Sequence, residues 1–201
     1  MNQADPGQPV ALCPAVASAR GREHRPLRPT LIFATMTLLL TGSWRLHSSA
    51  QRVSPHETAT YQIGRATVEL TYGRPATRGR VIFGALVPFE RVWMPGADEA
   101  TILKTDAGLQ FAKAYVPAGS YSLYTIPSPN AWKLIINKQT GQWHTVYSGD
   151  QDLTRIDMRV ESLSQPVERL TISAIPRGEQ GGDLRIEWAA IRAVAPFTVP
   201  H

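Results

Sequence analysis

From residue 57 onward, short segments alternate between apolar and polar side chains, and this period of two constrains the fold more than any other feature of the sequence. In residues 66–72, Ala, Val, Leu and Tyr fall on one face, and Thr and Glu fall on the other. Residues 153–160, 168–175 and 184–188 repeat this pattern. Strands with one apolar face and one polar face are typical of antiparallel sheets.

Five further segments have the composition of strands and are separated by residues that favour turns. They are residues 57–63, 99–105, 109–116, 120–126 and 131–137. Residues 77–86 are typical of a short helix or an irregular crossover. The last seven residues are typical of an edge strand or a loose end. We therefore predict an all-β fold, a single antiparallel β-sandwich or jelly-roll-like domain of about nine strands, with a closed barrel as the alternative.

The N-terminal part of the chain has a different composition, and it predicts export. Four arginines precede residues 31–42, which carry no charge, and Ser48 and Ala50 then supply small residues where a signal peptidase reads the chain. Twelve residues are short for a membrane span, which needs about 20. We therefore predict a signal peptide and leader over residues 1–50, cleaved after Ala50, and a mature domain over residues 51–201.

The leader also predicts where the protein is found. Cleavage would release the domain into the periplasm or the extracellular space. The alternative is an uncleaved leader that anchors the protein to the membrane through residues 31–46, since Trp44 and Arg45 are typical of a membrane interface.

Most of the net charge of +5 belongs to this leader. Five of the 21 basic residues and two of the 16 acidic residues precede residue 51, so the mature domain holds 16 and 14, a net charge of +2. It has no basic run, which argues against nucleic-acid binding. The single Cys lies at position 13, so the mature domain contains no disulfide and no reactive thiol.

Four segments together resemble a bacterial family catalogued as domain of unknown function 2911. They read LTYGRPATRGRVIFGALVPFERVWMPGADEATIL, VPAGSYSLYTIPS, WKLIINKQTGQWH and LRIEW, and the similarity covers residues 53–195. The resemblance implies a secreted or envelope-associated protein with one β-rich domain. It implies no known reaction.

The sequence departs from the pattern of that family at three places. Met94 and Pro95 stand where an Arg-Thr pair is more typical, Asp98 stands where Asn is commoner, and His144 stands where Gly is usual. If the missing Arg serves a ligand in the family, we expect binding by this chain to be altered or absent.

Five residues are candidates for a ligand-binding surface: Arg74, Arg80, Glu99, Trp143 and His144. Arginine forks bind carboxylates and phosphates through two parallel hydrogen bonds, and a tryptophan ring accepts the apolar face of a sugar. They predict a small anionic or carbohydrate ligand. The structural interpretation is that Arg74 or Arg80 bonds loop carbonyls or pairs with Glu99, and that the tryptophan is buried.

The sequence offers little support for a metal or a cofactor. The mature domain has three histidines, at positions 56, 144 and 201, without the spacing of a metal-binding motif. It also lacks a Gly-x-Ser-x-Gly turn and a glycine-rich phosphate loop. We therefore expect neither a bound metal nor a cofactor.

Three functions are consistent with these features. The first is a non-catalytic binding or envelope module, which needs an exposed Trp143 beside Arg. The second is a hydrolase of glycans or esters, which needs Glu99 and His144 within reach of one cleft. The third is a structural envelope protein that pairs through a sheet edge, with the arginines and Glu99 buried as a latch.

Overall fold

Nine antiparallel strands form one hydrogen-bonded sheet in residues 54–201, the part of the chain that the computed structural model describes. The strands are β1 (His56–Ile63), β2 (Ala66–Gly73), β3 (Ile102–Thr105), β4 (Leu109–Phe111), β5 (Ala114–Val116), β6 (Gly119–Ile126), β7 (Ala131–Asn137), β8 (Asp152–Arg177) and β9 (Gly181–Thr198). Their order in the sheet is β1-β2-β3-β6-β7-β8-β9-β4-β5. Within these residues the only helical element is a single 3-10 turn, Gly149–Gln151.

The predicted all-β fold is confirmed, with nine strands as expected. The signal peptide, its cleavage after Ala50 and the anchor over residues 31–46 lie outside the described residues. No helix between residues 54 and 201 has the length and apolar character needed to cross a membrane.

Hydrogen bonding is continuous through all nine strands, whereas a sandwich would divide them between two sheets. Residues 153–160 and 168–175, predicted as two strands, are both part of β8, which is 26 residues long. Register shifts on either side of Val167 mark irregular pairing between β8 and β9, and bulges of this kind bend a strand without ending it. The polar residues between the two segments therefore continue the strand.

Two other predicted segments differ in detail. Residues 109–116 form a hairpin, since β4 and β5 turn back on each other between Phe111 and Ala114. The C-terminal residues Ala195–Thr198 belong to β9, which lies between β8 and β4 and is not an edge. Residues 77–86 form an irregular crossover, one of the two predicted alternatives.

The apolar faces predicted from the alternation form the core. In β2, Val68 and Leu70 are fully buried, and in β8 Leu170 and Ile172 are as well. The backbone N–H of Ile172 donates a 2.9 Å hydrogen bond to the hydroxyl of Tyr72 on β2. Because β2 and β8 are not neighbours in the sheet, this contact shows that the sheet coils back on itself around the core.

Candidate ligand-binding site

A pocket of about 690 Å³ opens where two irregular segments meet the sheet, and we call it the aromatic pocket. The crossover between β2 and β3 supplies most of its wall, including Arg80, Leu86 and Trp93. The loop after β7 supplies His144, and β9 supplies Trp188. Its volume lies within the range of about 300–1,000 Å³ that is usual for small-molecule sites.

Two tryptophans stack in the wall of the aromatic pocket. The rings of Trp93 and Trp188 are nearly parallel, with an interplanar angle of 11° and centroids 6.0 Å apart. Phe83 packs edge-on against both rings. The backbone of Trp93 exchanges two hydrogen bonds of 2.7 Å with Thr125 on β6, which ties the crossover to the sheet. The indoles are therefore fixed by packing and by the backbone.

The loop that carries His144 is anchored at its base by a polar network. The fully buried Asn137 donates hydrogen bonds of 2.9 Å to the carbonyl of Ser148 and to the carboxylate of Asp152. The Tyr147 hydroxyl donates to the same carboxylate at 2.7 Å. Satisfied buried polar groups hold a loop in one conformation, since any opening would leave them without partners.

His144 is oriented by the backbone of Asp98. Both its backbone N–H, at 2.9 Å, and its ring Nδ1, at 2.7 Å, contact the Asp98 carbonyl oxygen. A carbonyl only accepts hydrogen bonds, so Nδ1 carries a proton, and in the neutral ring Nε2 is the acceptor. Asp98 has a φ of +69°, a conformation that Asp tolerates better than most residues. His144 thus presents a defined tautomer in the wall of the pocket.

Arg80 is held by its own loop. Its Nε donates to the carbonyl of Thr77 at 2.9 Å and its NH2 group to the carbonyl of Ala76 at 2.8 Å. These bonds match the structural interpretation of the sequence. They use two of the five guanidinium N–H groups, and the other three have no hydrogen-bond partner within residues 54–201.

The pocket wall contains two tyrosines whose hydroxyls are already engaged. Tyr124 donates to the carbonyl of Val146 at 2.6 Å. Burial raises the pKa of Tyr124 above the ordinary phenol value, and it does the same for Tyr147. Both side chains therefore stay neutral at physiological pH and add no negative charge to the pocket.

The five candidate residues do not share one surface. Arg80 and His144 line the aromatic pocket. Glu99 lines a smaller pocket of about 340 Å³, where its Oε2 lies 3.3 Å from Nε2 of His56. Trp143 is 45% exposed and pairs with Glu99 through a backbone bridge, but its side chain lines neither of these two pockets.

Arg74 lines neither pocket and links two strands that are not neighbours in the sheet. Its Nε donates to the carbonyl of Leu170 at 3.0 Å, and NH2 donates to the hydroxyl of Thr171 at 2.9 Å. Its NH1 pairs with the carboxylate of Glu57. The residue thus connects β1, β2 and β8, and its anionic partner is Glu57 and not the Glu99 considered from the sequence.

The family model for proteins of unknown function named DUF2911 matches residues 54–197, which is most of the chain. The chain belongs to the DUF2911 family. Neither the curated proteins nor the solved structures contain a significant match to it. The resemblance inferred from the four sequence segments is therefore confirmed, and it includes every residue that lines the aromatic pocket of this DUF2911 domain.

Two of the departures that the resemblance indicated, Met94 and His144, line the aromatic pocket of the DUF2911 domain. Met94 is 4% exposed and packs with Tyr124 and Ile135. An apolar thioether thus occupies the position at which the resemblance led us to expect an arginine. Among the described residues that line the pocket, Arg80 is the only Arg or Lys.

Sequence reasoning missed the two stacked tryptophans. Nothing in a single sequence pairs Trp93 with Trp188, because they are 95 positions apart. Within residues 54–201, no group of three His, Asp or Glu side chains is arranged to hold a metal ion.

The start of the crossover in the DUF2911 domain depends on a carboxylate, and we predict a pH effect there. Glu168 accepts hydrogen bonds from the Thr77 hydroxyl and, at 3.0 Å, from the Arg78 backbone N–H. The hydrogen bond from the Thr77 hydroxyl, and to a lesser extent the one from the Arg78 N–H, lower the pKa of Glu168. A lowered folded-state pKa stabilises the fold above the ordinary pKa of Glu, and this contribution is lost as pH falls through the folded value.

Glu168→Gln is therefore expected to lower the melting temperature at pH 7 and to have a smaller effect at pH 3. Thermal unfolding of both proteins across this range measures the difference. Glu179→Gln is the control, because Glu179 is exposed and its side chain makes no hydrogen bond within residues 54–201. A difference between wild type and Glu168→Gln that stays constant with pH would contradict the prediction.

Proposed function

We propose that this DUF2911 domain is an exported, non-catalytic binding module that takes a small ligand into the aromatic pocket. The observation that carries the proposal is the pocket itself. It has the volume of a small-molecule site, and Arg80 and His144 supply polar groups. The tryptophans beside Arg80 are the stacked pair Trp93 and Trp188, in place of the Trp143 considered from the sequence. An apolar pocket with a few positioned polar groups is the usual form of such sites.

Export is proposed from the composition of residues 1–50, with its arginines, its short apolar run and its small residues near Ala50. An exported domain without cysteine must be stabilised by packing alone. The core of the coiled sheet supplies this packing without a disulfide, which is consistent with export.

Binding without catalysis is favoured over hydrolysis by the placement of two side chains. A hydrolase that uses Glu99 and His144 needs both at one cleft. Glu99 lines the smaller pocket with His56, whereas His144 lines the aromatic pocket. A purely structural role would bury Arg80 and Glu99 together, but Arg80 is exposed and the Glu99 side chain is 41% exposed.

A ligand screen that follows the melting temperature of the purified full-length protein tests the proposal, with glycans, organic acids and divalent metals as ligands. At a ligand concentration of 100 Kd, binding to the native state adds about 2.7 kcal/mol, which for a domain of this size raises the melting temperature by about 5–10 °C. We expect at least one organic class to produce such a shift.

Two threonines in one loop provide a matched pair of variants. Thr145 is exposed and lines the aromatic pocket, so Thr145→Trp is expected to fill the mouth and abolish the shift. Thr140 is exposed in the same loop but does not line the pocket, so Thr140→Trp is expected to keep it. If no ligand class raises the melting temperature, or if Thr145→Trp responds as the wild type does, the proposed site is wrong.

A further inference from the structure

We infer that the ligand of the aromatic pocket is an organic carboxylate with an apolar body, and not a neutral sugar. This inference rests on the proposed function and names its ligand class. It combines three properties of the pocket: the sign of its charge, the free edge of one arginine and the scarcity of hydrogen-bonding side chains.

The charged side chain in the described lining of the aromatic pocket is a cation, Arg80. Arg80 supplies a permanent positive charge, and none of the described residues that line the pocket is Asp, Glu, Asn or Gln. Tyr124 and Tyr147 stay neutral because burial raises the pKa of each. Arg80 is exposed and the Glu168 carboxylate outside the lining acts on it electrostatically, so the attraction is partly screened. The charge of the lining itself still favours a negatively charged ligand.

Arg80 is prepared to bind a planar anion. The carbonyls of Thr77 and Ala76 hold its Nε and NH2 groups, and so fix the plane of the guanidinium. The opposite edge, formed by NH1 and the second N–H of NH2, has no hydrogen-bond partner within residues 54–201. This edge matches the two oxygens of a carboxylate. Because the protein already orders the side chain, little conformational entropy remains to be lost on binding.

The rest of the wall suits an apolar body better than a sugar. Leu86 and Val92 are 47% and 38% exposed and line the pocket beside Trp93. The tyrosine hydroxyls are already bonded, so beside Arg80 only His144, Thr145 and the Trp93 indole N–H remain in the described lining for ligand hydroxyls. A pyranose would bury several hydroxyls against this wall without partners, and each unpaired hydroxyl weakens binding.

Tryptophan fluorescence titrations with matched probes test the inference on the full-length protein. The probes are 3-phenylpropionate and its neutral amide, 3-phenylpropionamide, together with glucose and glucuronate. We expect 3-phenylpropionate to bind at least about tenfold more tightly than the amide, since charge-assisted hydrogen bonds account for that ratio. We expect glucuronate to bind more weakly than 3-phenylpropionate, and glucose to bind most weakly.

Variants of the arginine separate charge from shape. Arg80→Gln is expected to weaken 3-phenylpropionate binding about tenfold and to leave amide binding within about twofold. Arg80→Lys, which keeps the charge but loses the fork, is expected to fall between wild type and Arg80→Gln. Arg78→Gln is the control, since Arg78 is exposed and does not line the pocket. Melting temperatures without ligand show whether each variant is folded.

The outcomes distinguish this inference from the proposed function. Equal affinity for the carboxylate and the amide, or tighter binding of glucose, overturns the carboxylate assignment. If the amide or glucose binds and Thr145→Trp abolishes this binding, the pocket is still a ligand site and the proposed function stands. If none of the four probes binds, the carboxylate assignment also fails. The melting-temperature screen then tests separately whether the pocket binds any other ligand.

Discussion

A Gly73→Ala variant is expected to lose about 2–3 kcal/mol of unfolding free energy, because β2 and the crossover touch at this residue. A Cβ atom at Gly73 would lie 2.3 Å from the carbonyl oxygen of Ala97 and 3.0 Å from its carbonyl carbon. Both contacts are to backbone, which cannot rotate away as a flexible side chain can. The strand and the crossover must therefore separate.

The same substitution is expected to damage the aromatic pocket. Ala97 lines the pocket and precedes Asp98, whose carbonyl orients His144. A displaced crossover would move these groups together, so any ligand found in the melting screen is expected to bind at least about tenfold more weakly to Gly73→Ala. Shifts of about 1 Å at positioning groups have effects of this size or larger.

Gly149→Ala is the matched control for this experiment. The nearest atom to a Cβ at Gly149 is the Tyr147 hydroxyl oxygen at 3.4 Å, an ordinary contact with the end of a side chain. Its effect on the unfolding free energy is expected to stay within about 0.5 kcal/mol. Urea unfolding of the three proteins gives the comparison, and a Gly73→Ala variant as stable as wild type would show that the crossover does not pack against β2 as described.

The fold could be predicted because local alternation is a property of each strand alone. In β2 the burial alternates as the sequence indicates, from Ala66 to Tyr72. The length of β8 could not be predicted in this way, since its middle is polar and exposed, and only pairing with β9 keeps it extended. The division of residues 109–116 into a hairpin has the same cause: a two-residue turn interrupts a segment whose apolar pattern looks continuous.

The candidate site was less predictable, because the type of a residue does not indicate which part of the fold its side chain will contact. Arg74 and Arg80 are six positions apart in one motif, yet Arg74 joins strands and Arg80 lines a pocket. The stack of Trp93 on Trp188 depends on how the sheet coils, which no local pattern encodes. The role of Gly73 could not be predicted either, because its lack of a side chain matters only through the close approach of the crossover in the folded protein.

The second large effect is expected for Arg74→Ala. The variant would leave the Glu57 carboxylate without its cation, and would remove hydrogen bonds to the Leu170 carbonyl and the Thr171 hydroxyl. Loss of charged hydrogen bonds of this kind costs about 1.5–3 kcal/mol when buried. Because the Arg74 and Glu57 side chains are 27% and 35% exposed, solvent screening reduces the expected loss to about 1–2 kcal/mol.

Three comparisons test whether Arg74 stabilises the fold by linking strands or acts only as a surface charge. Arg74→Lys is expected to recover less than half of the loss, because an ammonium group cannot reach three partners on two strands in one plane. Arg78→Ala, in the same motif and exposed, is expected to change the unfolding free energy by less than about 0.5 kcal/mol. In a double-mutant cycle, Arg74→Ala should cost less in a Glu57→Gln background, because the carboxylate that it would strand is already gone. If Arg74→Ala and Arg78→Ala prove equally mild, the link between β2 and β8 depends on the packing of Tyr72 and Ile172 and not on the arginine.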